Sequence, residues 1–427
     1  MEQGGAPPFV WDVGGGHFKA GMKIPAAACL ARGGLVPILG TMRTKLLPLL
    51  ACLLAACTSL DPRLELEVLT PELLDGGSLR GLSVPHPDLV WVSGAGGDLA
   101  RTVDGGETWT RLAIPGADEL DLRMLVAFDA YEAWVGSAGP GDASRLFHTD
   151  DGGDTWTERL VNEDPEGFWD GLAFWDRERG ILVGDPTTDP ATGERCMTIL
   201  VTDDGGATWS RVPGDALPAP ARSTTSGGEL LDEYCFAASN RSIALGRAGQ
   251  AWVATGGGAA RVLRTLDGGA SWTVADTPLG QTDGAAGVFA VDVAGGVLQA
   301  VGGKYDAPEA GELTAASSRD GGRTWNLAEP APAGYRSAVA FQPPNRFTDD
   351  DTPLAVAAGT SGVSLSGPGR LDTWREAADL PGANAIAFEP DGRRLWAVGP
   401  GTAIWCARVV APRPVERDEA GALFPRD

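Results

Sequence analysis

Between residues 64 and 410 the chain alternates apolar with small or polar residues in short runs, and Gly-, Asp- and Pro-rich stretches separate the runs. A period of two over four to eight residues predicts half-buried β-strands. The first unit shows the order: strands at 79–84, 89–93 and 99–103, a turn, then a strand at 108–112. The same order follows from 122–128 and 133–136 in a second unit, and from 171–175, 181–183 and 198–201 in a third. A fourth has 242–245, 251–254 and 261–265, a fifth 287–293, 297–301 and 313–317, and a sixth 337–341, 354–358 and 362–365. The last piece, 385–388, 394–398 and 403–409, has only three strands, while 64–69 alternates at the other end without a unit of its own.

The turn before each fourth strand carries one motif. Residues 102–109 read Thr-Val-Asp-Gly-Gly-Glu-Thr-Trp, with Asp104 and Trp109 as fixed points. Four more copies hold Asp151 and Trp156, Asp204 and Trp209, Asp267 and Trp272, and Asp320 and Trp325. A decayed sixth runs from Ser364 to Trp374, with Ser366 in place of the Asp. Asp-Gly-Gly between alternating runs is a hairpin turn: the carboxylate accepts backbone N–H groups and the glycines take positive φ. The closing Trp is large enough to pack between neighbouring sheets. A turn needs these residues in every copy, whereas a catalytic or metal site would need them once. Recurrence every 46 to 63 residues marks a repeat architecture.

This pattern resembles the BNR, or Asp-box, repeat of β-propellers, across about 64–410. The resemblance implies an all-β fold of four-stranded blades around a channel. A ring leaves an open edge unless its ends join. The expectation is therefore seven blades, with 64–69 completing the last; six is the alternative count. The strings SLRGLSV (78–84), GDP (184–186), FAAS (236–239) and GYRS (334–337) further resemble propellers similar to the photosystem II assembly and stability factor. That group implies an assembly or binding platform.

The ends of the chain read differently. Residues 1–41 fit no part of the repeat and look like an extension of the gene beyond the true start. Met42-Arg-Thr-Lys45 precedes an apolar run ending Leu54-Ala55-Ala56-Cys57, the order of a secretory signal. It resembles the lipobox of bacterial lipoproteins, which makes Cys57 the lipidated residue of an exported protein, with the outer membrane as its expected address. Residues 58–63 are then a short linker, and 411–427, rich in Pro and charge, an expected disordered tail. The formal net charge of −23 repels nucleic acid and anionic headgroups, so attachment to a membrane falls to acyl chains. No feature calls for an oligomer, and a monomer is expected. Export permits disulfides, but Cys196, Cys235 and Cys406 are three; Cys196 and Cys235 could meet if their loops fold together.

Aligning the first strands puts Arg80, Arg123 and Arg336 at one position beside the channel mouth, with Asp170 matching in the third unit. Loop order brings Asp185, Glu233, Arg261, Tyr305 and Tyr335 to the same face. Converging guanidiniums demand carboxylates, either from neighbouring units or from an anionic ligand. The expected partner is a protein segment or an anionic saccharide. Sialidases share the repeat and clamp a carboxylate with three arginines, but their Arg-Ile-Pro type motif is missing. Glu233 and Tyr234, adjacent in extended chain, point apart. Glycoside hydrolysis by Asp170, Asp185 and Glu233 stays as the alternative reading. No catalytic set, cofactor or metal is otherwise indicated: the glycine clusters lie between strands, and the Asp-rich run 348–352 lacks the spacing of a Ca²⁺ loop.

Overall fold

The computed structural model describes residues 63–410, apart from 71–73, 76, 226, 281–283, 345–353 and 368–369, together with the backbone of 415–417 and 423–425. All belong to one unit, Cys57–Asp427. The proposed leader, Cys57 and the Asp-rich run at 348–352 lie outside the described residues. Every regular element described is a strand, apart from single 3-10 turns at Ala95–Gly97, Gly141–Ala143 and Gly214–Ala216.

The strands form antiparallel meanders in a ring. The first sheet is Leu79–His86, Leu89–Gly94, Leu99–Thr102 and Thr110–Leu112, and the second is Leu122–Ala127, Ala133–Ser137, Arg145–Thr149 and Thr157–Val161. The third is Trp169–Phe174, Gly180–Thr188, Arg195–Thr202 and Ser210–Arg211; the fourth begins with Ile243–Leu245 and ends with Thr273–Asp276. Each innermost strand packs on the next, through Ala286–Ala294, Ala338–Phe341 and Ala385–Phe388, and the last packs on Leu79–His86. This is the arrangement of a β-propeller.

Six four-stranded blades are counted among the described residues, not the seven expected. The Asp320 repeat lies instead in a seven-stranded sheet. Its inner strand is met by Gly256–Gly257 and, beyond that, by the hairpin of Arg222–Thr224 and Leu230–Tyr234. That hairpin is the insertion responsible for the longest step between repeats. Gly256 pairs with both Tyr234 and Gly287, where a Cβ would strike Phe236 at 2.3 Å.

The middle strands explain the unbroken apolar runs of the sequence. Leu89–Gly94, Ala133–Ser137, Ala251–Ala254 and Ala355–Gly359 are buried at every position, because each sheet has a neighbour on both faces. Trp91, Trp134, Trp396 and Trp405 are fully buried among them. The core is a series of inter-sheet clusters, one of which packs Trp396 of the last sheet with Val90, Val92 and Trp109 of the first.

The turns work as their chemistry predicts. Asp104 Oδ1 accepts the Thr108 N–H at 2.9 Å and the Thr102 hydroxyl at 2.8 Å, and Oδ2 accepts the Thr108 hydroxyl at 2.5 Å. Asp151, Asp204, Asp267 and Asp320 repeat this pattern. The second glycine is needed for space as well as for its positive φ. A Cβ at Gly106 would come within 2.8 Å of Trp396, and one at Gly206 within 2.4 Å of Trp134. The turn of one repeat is thus pressed against the repeat before it, on a middle-strand Trp at Gly106, Gly206 and Gly322 and on Leu112 or Val201 at Gly153 and Gly269.

The ring is closed by its own N-terminus. Arg63–Thr70 pairs antiparallel with Ile404–Val410, Leu64 opposite Val409 and Leu66 opposite Ala407, with a bulge before Val68. Leu64 enters a cluster with Trp405 and the sixth-repeat residues Val356 and Leu365. The sequence left the pairing of Cys196 with Cys235 open. Cys196 and Cys235 share a buried cluster but are not bonded; both are free, as is Cys406. In the tail, Val415–Arg417 pairs with Leu423–Pro425.

Hydrogen bonds from Thr155 hold the Asp151 carboxyl down at about 2. Its folded value lies below the unfolded one, so its contribution to stability is complete above about pH 4 and lost as pH falls through about 2. Asp151→Asn is expected to lower the Tm by about 2–4 °C at pH 7 and to have a much smaller effect at about pH 2. Thermal melts of both proteins at the two pH values check this.

Candidate functional site

The mouth of the channel is built from β-bulges. In the first strand of four repeats the register skips one residue: between Leu79 and Gly81, Leu122 and Met124, Trp169 and Gly171, and Val288 and Ala290. The skipped residues are Arg80, Arg123, Asp170 and Phe289. A bulge re-aims its side chain and bends the strand, here at the ring's inner edge.

What these residues meet is a plug that the sequence does not announce. The segment after Leu230–Tyr234 crosses the centre of the ring before entering the fourth sheet. Arg80 Nη1 donates to the Ala238 carbonyl at 3.1 Å and Arg123 Nη1 to the Ala237 carbonyl at 3.2 Å. The Ser239 hydroxyl donates to the Ser337 carbonyl at 2.6 Å, and the Asn240 side chain accepts the Leu172 N–H at 2.8 Å. The Val291 N–H donates to the Arg241 carbonyl at 3.0 Å. One short stretch thus ties together repeats one, two, three, five and six. The string FAAS marked it, but only as a point of resemblance; its threading depends on non-local pairing, which no local pattern encodes.

Arg80 and Arg123 do converge, as the sequence reading placed them. Burial, and Arg123 next to it, pull the Arg80 guanidinium below its ordinary value. Arg123 is paired with Asp121 at 2.6 Å, a partner the sequence reading missed. Arg80 has no ion pair among the described residues. Arg336 stands elsewhere. Its N–H donates to Gly302 O, as the Leu79 N–H does to Gly399 O, and Ala338 rather than Ser337 pairs with Ala358. Arg336 therefore corresponds to Leu79, and Ser337 takes the Arg80 position: the alignment slipped by one residue, which reverses a side chain's face. The Arg336 guanidinium is fully buried, donating to Ser361, to Ser364 and to Glu376 at 2.7 Å. It serves the sixth sheet, not the mouth.

Tyr335 and Tyr305 do reach the mouth, through an aromatic group. Phe236 of the plug stacks on Phe289 at 3.7 Å, Tyr335 meets Phe289 edge-on at 4.8 Å, and Tyr305 lies 6.2 Å from the same ring. Tyr335 is buried and its hydroxyl pushed up by that burial, while Tyr305 remains half exposed.

The carboxyls divide into two sets. Asp170 is buried, and burial together with Asp185 raises it well above the usual carboxylate range. Asp185 rises to about 6, chiefly by burial, and accepts the Cys235 N–H at 3.0 Å. Asp170 Oδ2 meets no donor, which a proton on that oxygen, shared with Asp185, resolves. Glu233 belongs to the insertion hairpin. It is fully buried and held by Arg261 through both oxygens, by the Thr255 hydroxyl at 2.5 Å and by the Ala221 N–H at 2.6 Å. The first two carboxyls act on each other through their charge, and the third is held by its guanidinium through both oxygens.

Fold and mouth together define a β-propeller with Asp-Gly-Gly turns whose channel is stopped from within by its own chain. The family model for the photosynthesis system II assembly factor YCF48 matches residues 78–168, the first two repeats. Among solved structures the chain is similar to YCF48 bound to D1 peptide, at 14% identity and TM-score 0.52, covering 83% of this chain and 98% of that one. It is also similar to YCF48 from Cyanidioschyzon merolae, at 17% identity and TM-score 0.50, covering 80% and 99%. A third is the GH74 xyloglucanase from Xanthomonas campestris, at 17% identity and TM-score 0.51; there the chain covers 55% of the enzyme and 83% of itself is covered. At these identities the likeness is one of fold. No curated protein matches the chain.

Two outcomes follow from the carboxyls. The folded values of Asp170 and Asp185 lie above the unfolded ones, so their contribution is complete below about pH 4 and lost as pH rises through about 6. The Tm should fall between about pH 5 and 7, and Asp170→Asn should flatten that fall. Arg261→Met leaves Glu233 buried without its partner and should destabilise by about 3–5 kcal/mol, measured by urea unfolding.

Proposed function

We propose that this protein is a binding platform that holds an extended segment of another protein at the plugged mouth, with no chemistry of its own. The observation that carries the reading is Arg80: a half-buried guanidinium beside a second one, bonded to a plug carbonyl and, among the described residues, without an ion pair of its own, since nearby Asp121 is paired with Arg123. A terminal carboxylate supplies the missing acceptor in bidentate form, and the aromatic group of Phe236, Phe289, Tyr305 and Tyr335 offers apolar contact beside it. The match of the first two repeats to an assembly-factor family, and the likeness in fold to YCF48 bound to D1 peptide, support the same reading. In this reading the Ala286–Ala294, Val297–Lys304, Ala315–Ser318 and Asn326–Leu327 meander is a seventh blade, extended inward by the insertion hairpin. Lipidation of Cys57 would hold the platform close to a membrane surface, and its acidic surface would keep it from anionic lipid.

The test is selection of a peptide library with free or amidated C-termini against the full chain. Free carboxyl ends should be enriched, and Arg80→Ala with Arg123→Ala should weaken the selected peptides at least about tenfold. Equal enrichment of amidated ends sinks the proposal. Turnover of fluorogenic glycosides that is abolished by Asp170→Asn or Glu233→Gln would favour the hydrolase instead.

A further inference from the structure

Beyond the plug, away from Arg80 and Arg123, the axis of the ring holds a cavity of about 350 Å³. Its walls are the later residues of the innermost strands, and its roof is Ser239, Asn240 and Arg241 of the plug. Strands advance about 3.3 Å per residue, so Ser83 in the wall lies roughly 10 Å farther along its strand than Arg80. The two places are separate.

The polar side chains of this cavity are satisfied, with one exception. The Ser83 hydroxyl accepts the Ala127 N–H at 3.0 Å. Ser239 and Asn240 are committed to Ser337, Leu172 and Leu125. Asp292, on the fifth repeat, accepts the Val293 N–H and the Phe341 N–H, each at 2.8 Å. The Arg241 guanidinium lines the cavity and makes no hydrogen bond or ion pair among the described residues; Asp292 acts on it only through its charge. Burial pulls this guanidinium below its ordinary value, and none of its five donors meets an acceptor among the described residues. The one carboxylate in the wall, Asp292, spends its oxygens on backbone N–H groups, so Arg241 is left without a hydrogen-bonded anion.

We propose that this cavity binds a small polar organic anion, with a carboxylate on Arg241 and hydroxyl groups on the free peptide edges of the innermost strands. The volume admits an ion of roughly ten non-hydrogen atoms with some water. A long peptide does not fit beneath the plug, so the ligand is distinct from the segment proposed at the mouth.

Isothermal titration calorimetry of the full chain with D-glucuronate, citrate and inorganic phosphate tests this. At least one carboxylate probe should bind, Arg241→Gln should weaken it tenfold or more, and Arg80→Ala should leave it unchanged. Binding of phosphate alone, no heat from any of the three, or binding lost with Arg80→Ala but kept with Arg241→Gln would overturn the assignment. The last result would move the anion to the mouth and leave the platform reading intact. If Arg241→Gln does not fold, Asp292→Asn replaces it: removing the competing carboxylate should tighten binding, and unchanged or weaker binding refutes the site.

Discussion

The structure depends on one recurring arrangement: an aspartate that ties its own turn together while the glycine behind it lies against an apolar side chain of the previous sheet, a tryptophan in three of the five turns. The carboxylate fixes the shape of the turn, and the bare glycine lets that shape approach within contact distance of Trp396, Trp134 or Trp252. Local geometry thereby becomes inter-sheet geometry. Outside the plug and the insertion hairpin, each sheet meets only its two neighbours, so each junction must set its own angle. The sixth repeat shows what remains when the aspartate is lost: the Ser366 hydroxyl reaches the Arg370 carbonyl, and Trp374 still packs on Val301 and Ala315 of the repeat before it.

The centre of the ring obeys a different logic. Bulges turn Arg80, Arg123 and Asp170 inward, and the plug answers the two guanidiniums with carbonyl oxygens rather than carboxylates. Asp170, Asp185 and the Cys235 amide secure the plug from the third repeat. A neutral acid beside an ionised one is an economical way to bury two carboxyls, since only one charge has to be solvated. On one side of the plug lie Arg80, Arg123 and the aromatic group, and on the other a polar cavity lined by Arg241 and Asp292.

The sequence revealed whatever repeats. Asp-Gly-Gly spacing located the turns, period-two alternation located the strands, and the orphan run at 64–69 pointed to its pairing with 404–410. Arg80 and Arg123 could be placed because apolar neighbours align their strands without ambiguity. Arg336 could not: Gly-Tyr-Arg-Ser-Ala fits two registers, and only the hydrogen bond from its N–H to Gly302 decides between them. Neither the plug nor the seven-stranded sheet was legible. Both arise from residues 212–241, which follow no repeat and take their course from contacts made with sheets far away in the chain. Cys196 and Cys235 lie in one cluster for the same reason, without the bond their proximity had made conceivable.

The pairing of Arg63–Thr70 with Ile404–Val410 sets an order on synthesis. Glu65 and Arg408, which form an ion pair across it, are 343 residues apart. Until the ribosome has delivered Ile404–Val410, the first strand has no mate. Loops of that size close at modest entropic cost but slowly. A nascent or truncated copy would therefore offer an unsatisfied β-edge to its neighbours, and quality control could recognise an unfinished ring by that edge alone.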